Sequence, residues 1–136
     1  MTTALILFGH GARDPAWAEP LRRVQAAIRE QAPDLPAALA FLEFIAPTLA
    51  DCAAGLIADG ARKIVVLPMF IAQSGHLQRD LPGLLEPLRV AHPGVEFALL
   101  PAVGESAAVI RAMAAVAVQA AAPRTVATPE ASRRKS

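Results

Sequence analysis

Two histidines stand beside glycines between apolar segments. His10 lies in Gly9-His10-Gly11-Ala12-Arg13-Asp14, and His76 lies in Gln73-Ser74-Gly75-His76-Leu77-Gln78-Arg79-Asp80. Imidazole ligates divalent transition metals and also accepts a proton near neutral pH. The flanking glycines let the backbone turn sharply and let a large ligand approach closely. Glu43 sits in the apolar run Phe41-Leu42-Glu43-Phe44, where a carboxylate is costly unless partnered. It either caps a helix or pairs with an arginine, or it serves as a metal ligand, as the group that orients a histidine, or as a proton acceptor. Arg13 and Arg79 either bind carboxylates of a substrate or pair with their neighbours Asp14 and Asp80. His92, before Pro93-Gly94, falls at the opposite end of the unit from the other two histidines. Trp17 and Cys52 lie on apolar helix stripes and read as packing residues.

The elements that must hold these residues follow from periodicity. Apolar runs at 4–8, 38–44, 63–71 and 95–100 read as strands, and amphipathic segments between and after them read as helices. Asp14-Pro15 forms an N-cap with proline at the first helical position, ahead of a stripe of Trp17, Leu21, Val24 and Ile28. Pro47 opens a second helix, which Asp59-Gly60 closes. Asp80 caps a third, with Leu81, Leu84, Leu85 and Leu88 on one face. The last helix starts near Ser106 and buries Val109, Ile110, Met113, Val116 and Ala117.

Near-continuous apolar strands imply burial on both faces, and their alternation with helices implies a parallel sheet. The expected fold is therefore a three-layer α/β unit, a four-stranded parallel sheet with helices on both faces. Ligands of such sheets bind beyond the carboxyl ends of the strands. His10, Glu43, the segment around His76, and Gly104-Glu105-Ser106 all fall there.

Bulk properties bound the function. The 136 residues fit one domain, expected over 1–122, with 123–136 a disordered basic tail holding Arg124, Arg133, Arg134 and Lys135. The body shows no basic stripe, so no nucleic-acid partner is expected. A single cysteine, the lack of a leader pattern and the lack of a long apolar run point to a cytoplasmic protein with no membrane partner. Gly9 stands where a histidine phosphatase would have arginine. Ser74 lacks a hydrolase elbow, and no Walker-type or Gly-x-Gly-x-x-Gly loop occurs.

The segment Gly9 to Asp14, Phe41-Leu42-Glu43, Pro68-Met69-Phe70 and the segment Ser74 to Pro82 together resemble the small sirohydrochlorin chelatases. These are class II chelatases, lyases of the cobalamin and siroheme pathways that insert cobalt or iron. The motifs keep the family's order and spacing across residues 4–120. The resemblance implies a chelatase-like, flavodoxin-like half-unit and a homodimer that completes the cleft. It implies that His10 and His76 coordinate an entering Co²⁺ or Fe²⁺ (Ni²⁺ also suits imidazole) and take part in proton removal, with Glu43 as third contributor. The metal is then a substrate, and no organic cofactor is expected. Arg13, Ser74, Gly75, Arg79 and Ser106 are the residues expected to contact a sirohydrochlorin-type tetrapyrrole. Ser74 departs from the glycine of many relatives. A carrier of metal or tetrapyrrole without turnover is the alternative. On this reading His10→Ala and His76→Ala each largely abolish metal insertion and leave the far-ultraviolet circular dichroism unchanged; wild-type insertion rates in both variants would remove the assignment.

Overall fold

The structure is a computed structural model that describes residues 2–72 and 75–123, and of His76 and Gln78 the backbone alone. The expected disordered tail falls almost wholly outside the described residues. The chain divides into two units, Met1–Ser106 and Ala107–Ser136.

The first unit contains strands β1 (Thr2–Gly9), β2 (Ala37–Phe41), β3 (Ala61–Pro68) and β4 (Glu96–Leu99), with helices α1 (Glu19–Gln31), α2 (Leu49–Ala58) and α3 (Gly75–Ala91). All strand pairs are parallel, in the order β2-β1-β3-β4. The expected α/β architecture is the observed one. The order reverses between β1 and β3, which makes the crevice beyond their carboxyl ends the switch point where ligands of such sheets bind.

Alternation along the strands sets the layers. Ala4, Ile6 and Phe8 of β1 and Ile64 and Val66 of β3 are buried in one core with Cys52 and Ala53 of α2, Leu81, Leu85 and Leu88 of α3, and Phe97 of β4. Leu21 of α1 lies on the opposite face, against Gly9. On that face Val65 and Leu67 are only half-buried, so burial is less symmetric than the apolar runs imply.

Several helix boundaries differ from expectation. Asp14 does cap, its Oδ1 accepting from the Ala16 amide at 2.9 Å, but it opens a 3-10 turn, Pro15–Ala18, that leads into α1. The inner stripe of α1 keeps Leu21 and Ile28, both half-buried, but replaces the expected Trp17 and Val24, which are exposed, with buried Ala18 and half-buried Gln25. Gln25 is drawn in because its amide donates to the Ala37 carbonyl of edge strand β2 at 2.7 Å. Thr48, not Pro47, caps α2, its Oγ1 accepting from the Asp51 amide at 3.1 Å. Gly60 ends that helix with φ +109°, as the Asp59-Gly60 pair predicts. Helix α3 begins at Gly75, well before Asp80, and runs through Pro82 and Pro87. Its stripe starts at half-buried Leu77 and continues through Leu81, Leu85 and Leu88. Packing along that stripe overrides the capping signal of Asp80-Leu81-Pro82, although proline costs an intrahelical hydrogen bond.

In the second unit the described element is α4 (Ala107–Ala121), whose single charged residue is Arg111. Among the described residues of that unit, the expected buried stripe of Val109, Ile110, Met113, Val116 and Ala117 finds no packing partner. Among the described residues no helix is long and apolar enough to cross a membrane.

Burial pushes the Cys52 thiol from its ordinary 9.0 up to about 11. Between these values the unfolded chain releases the proton while the folded chain keeps it, so the folded state loses stability as pH rises from 9 to 11. Urea unfolding at stepped pH therefore gives a steeper loss above pH 9 for the wild type than for Cys52→Ala; parallel curves would show that the thiol does not contribute.

Candidate metal site at the carboxyl edge of the sheet

The site grows out of β1. Its pairing with β2 continues past the strand ends, where Leu42 N–H donates to the Gly9 carbonyl at 2.9 Å and Glu43 N–H to the His10 carbonyl at 3.1 Å. On the other side Met69 N–H donates to the Phe8 carbonyl at 2.8 Å. The backbones of His10 and Glu43 are thus joined. Glu43 lies beyond the end of β2, in a bend, and is exposed, which corrects its expected place inside an apolar strand. No burial penalty arises there.

Glycine is required at two points. Gly11 takes φ +90°, and a Cβ on it would strike the Glu43 carbonyl oxygen. A Cβ on Gly9 would come within 2.8 Å of Leu21 and 3.2 Å of the Phe41 ring. The chain can therefore leave β1 closely packed and reverse at once, bringing the His10 side chain over the strand ends.

The His10 Nδ1 lies 3.7 Å from Glu43 Oε2 and 3.4 Å from the Gly11 carbonyl oxygen. Both neighbours are acceptors. They favour the proton on Nδ1 and leave the Nε2 lone pair outward, the arrangement of a histidine ligand oriented by a carboxylate. Phe70 presents an edge-to-face contact to the imidazole, with centroids 6.5 Å apart, and a similar one to Phe8 beneath. The side chains of His10 and Glu43 remain 53% and 48% exposed, so the pair opens to solvent.

Arg13 does not pair with Asp14. Its guanidinium carbon stands 4.6 Å from the centre of the Phe44 ring, and Asp14 is occupied as a cap. Phe44 carries φ +71°, and Ile45 N–H donates to the Glu43 carbonyl at 2.8 Å, closing a three-residue turn around Phe44. For a bulky residue this conformation costs about 1–3 kcal/mol. The sequence carries no signal of it, since the turn lacks Gly, Asn or Asp.

The remaining expected residues lie around the same edge. Gly75 opens α3, the His76 backbone follows in its first turn, and exposed Arg79 comes one turn later. The His76 side chain and all of Ser74 lie outside the described residues. Ser106 is exposed after the loop that follows β4. That loop is tied to the loop after β3, because Gly104 N–H donates to the Phe70 carbonyl at 2.9 Å and a Cβ on Gly104 would collide with the Ile71 carbonyl. Among the described residues no three His, Cys, Asp or Glu side chains form a metal-binding group; His10 and Glu43 are the two that meet.

Residues 4–120 match the CbiX family. The chain belongs to it. A sirohydrochlorin cobaltochelatase from Methanococcus aeolicus is 37% identical over 82 residues, 60% of this chain and 57% of that protein. Another from Saccharolobus islandicus is 36% identical over 88 residues, 60% of this chain and 62% of that protein. The chain thus spans about three-fifths of the length of these curated relatives. A CbiX protein of cobalamin (vitamin B12) biosynthesis from Marinobacter aquaeolei VT8 superposes with a TM-score of 0.77 at 27% identity, covering 87% of this chain and 96% of that one. The chelatase SirB from Bacillus subtilis subspecies spizizenii, solved in complex with cobalt, shares the fold with a TM-score of 0.74 at 19% identity over 88% of this chain and 51% of that one.

If Glu43 orients His10, Glu43→Gln weakens Co²⁺ binding by about 10–100-fold. The same change alters unfolding free energy by less than about 1 kcal/mol, because the pair is half-exposed and screened. Calorimetric Co²⁺ titration checks the first and urea unfolding the second; unchanged Co²⁺ affinity would separate Glu43 from the histidine's role.

Proposed function

We propose that this protein is a sirohydrochlorin chelatase, a lyase that inserts Co²⁺ or Fe²⁺ into the macrocycle in cobalamin or siroheme biosynthesis. The observation that carries the reading is the His10–Glu43 pair beyond the carboxyl ends of β1 and β2, with His10 bordering the switch point, in a chain of the CbiX family. The metal is a substrate here, and no organic cofactor is involved.

His10 offers Nε2 to the incoming ion, and Glu43 at Nδ1 keeps the ring in the tautomer that can ligate. His76, carried by α3 after the neighbouring strand, is the second ligand. Metal entry displaces two pyrrole N–H protons from the macrocycle. The half-exposed Glu43 carboxylate, and His10 Nε2 once it has released the ion to the macrocycle, stand where those protons can be taken up and handed to water. Arg13 and Arg79 bind carboxylates at the rim of the tetrapyrrole, and backbone around Ser74, Gly75 and Ser106 lines its approach. The cleft is completed by a second copy of the chain in a homodimer, as the resemblance to the small single-unit chelatases implies. Residues 1–122 serve as one chelatase-like domain in the cytoplasm, and 123–136 form a basic tail outside it. Nucleic acid and membrane have no part in this scheme.

Anaerobic mixing of sirohydrochlorin with excess Co²⁺, Fe²⁺ or Ni²⁺ and sub-stoichiometric protein tests the reading. Many turnovers with Co²⁺ or Fe²⁺, followed by absorbance of the metallated product, are expected. Metallation that stops at one equivalent of protein would identify a carrier instead.

A further inference from the structure

Phe44 is an exposed aromatic residue held in a left-handed backbone conformation beside the site, and packing does not account for it. Its ring is 57% exposed, so the strain is not repaid by burial in the core. Two contacts radiate from it. The ring face carries the Arg13 guanidinium at 4.6 Å. The backbone turn centred on it fixes Glu43, whose N–H reaches the His10 carbonyl, whose C=O accepts from Ile45, and whose carboxylate faces His10. Strained residues that persist without a packing reward are characteristic of sites where geometry matters to function.

We infer that Phe44 is a positioning residue that couples substrate recognition to metal handling: its ring orients Arg13 toward a carboxylate of the macrocycle, and its turn holds Glu43 against His10. The inference rests on the chelatase reading and adds the coupling to it. A guanidinium held over an aromatic face by its charge still has N–H donors to offer a carboxylate. One residue therefore sets the distance between the point that grips the rim of the substrate and the point that addresses its metal. Arg13 acts on binding and Glu43 on the chemical step, so the two variants separate kinetically, whereas a change at Phe44 that loses both ring and turn moves both.

The test compares Phe44→Gly, Phe44→Val, Phe44→Tyr, Arg13→Ala and Glu43→Gln in the anaerobic Co²⁺ insertion assay. Glycine accepts the positive φ without steric cost but supplies no ring. Phe44→Gly, which keeps the turn, is expected to raise KM for sirohydrochlorin by about tenfold or more with kcat unchanged and the thermal midpoint unchanged or raised. Phe44→Val, which resists positive φ and supplies no ring, raises KM and also lowers kcat. At saturating Co²⁺, Arg13→Ala raises KM for sirohydrochlorin alone, Glu43→Gln lowers kcat without changing KM for sirohydrochlorin, and Phe44→Tyr, which keeps the ring, gives wild-type values. Wild-type kinetics in Phe44→Gly, or an unchanged kcat in Phe44→Val, would overturn the inference, as would a loss of activity in Phe44→Gly accompanied by a fall in thermal midpoint, which marks a merely structural residue. Failure of the wild type itself to turn over would instead remove the chelatase reading.

Discussion

Backbone hydrogen bonds along both edges of β1 set the geometry of the carboxyl edge. The strand is paired to β2 on one side and β3 on the other, and both pairings run beyond the regular strands to Glu43 and Met69. Because the ladder is parallel, every strand delivers its following loop to the same edge. His10 and Glu43 meet because their own backbones are joined by that ladder. The long-range ordering of the site therefore costs little beyond what the sheet already requires.

A close-packed face lies under this edge. Phe8, Ile64, Leu81 and Leu85 are buried between the sheet and α2 and α3, and Phe70 carries the packing up to the imidazole. Gly9 and Gly11 allow tight packing below and a sharp reversal above, where any side chain would meet Leu21 or Glu43. The floor is fully buried, whereas the candidate side chains His10 and Glu43 are half-exposed. Such a shallow, open site suits a broad flat ligand better than a small one held in an enclosed cavity. The sheet edges, by contrast, are partly blunted: Gln25 donates to the Ala37 carbonyl of β2, and Arg89 donates to the Phe97 carbonyl of β4 at 2.9 Å. Edge strands occupied in this way are poorer templates for pairing with another chain.

The contrast between Cys52 and His10 shows how position divides similar chemical capacity. Both are potential metal ligands. Cys52 lies inside the core against α2, where burial holds the thiol protonated, and it belongs to packing. His10 lies at a strand end beside a carboxylate, in a chain whose family match spans residues 4–120. Its chemistry comes from placement at the sheet edge rather than from residue type alone.

The sequence by itself determined the alternation of strands and helices, hence the parallel α/β fold, and the concentration of His10, Glu43 and the His76 segment beyond strand ends. These are consequences of apolar periodicity and of where an apolar run stops, which are local properties of the chain. Its motifs also carried the family, because spacing between short segments survives substitution elsewhere. Tertiary structure decided the rest. Gln25 took the place of Val24 on the inner stripe of α1 because it reaches an edge strand twelve residues away in sequence. Helix α3 started at Gly75, six residues before the expected Leu81, because Leu77 extends the buried stripe of Leu81, Leu85 and Leu88 toward the amino end. Arg13 left Asp14 for Phe44, and Phe44 took a left-handed turn with no residue type to announce it. Each of these outcomes depends on a contact between segments distant in sequence, and only the assembled sheet could select it.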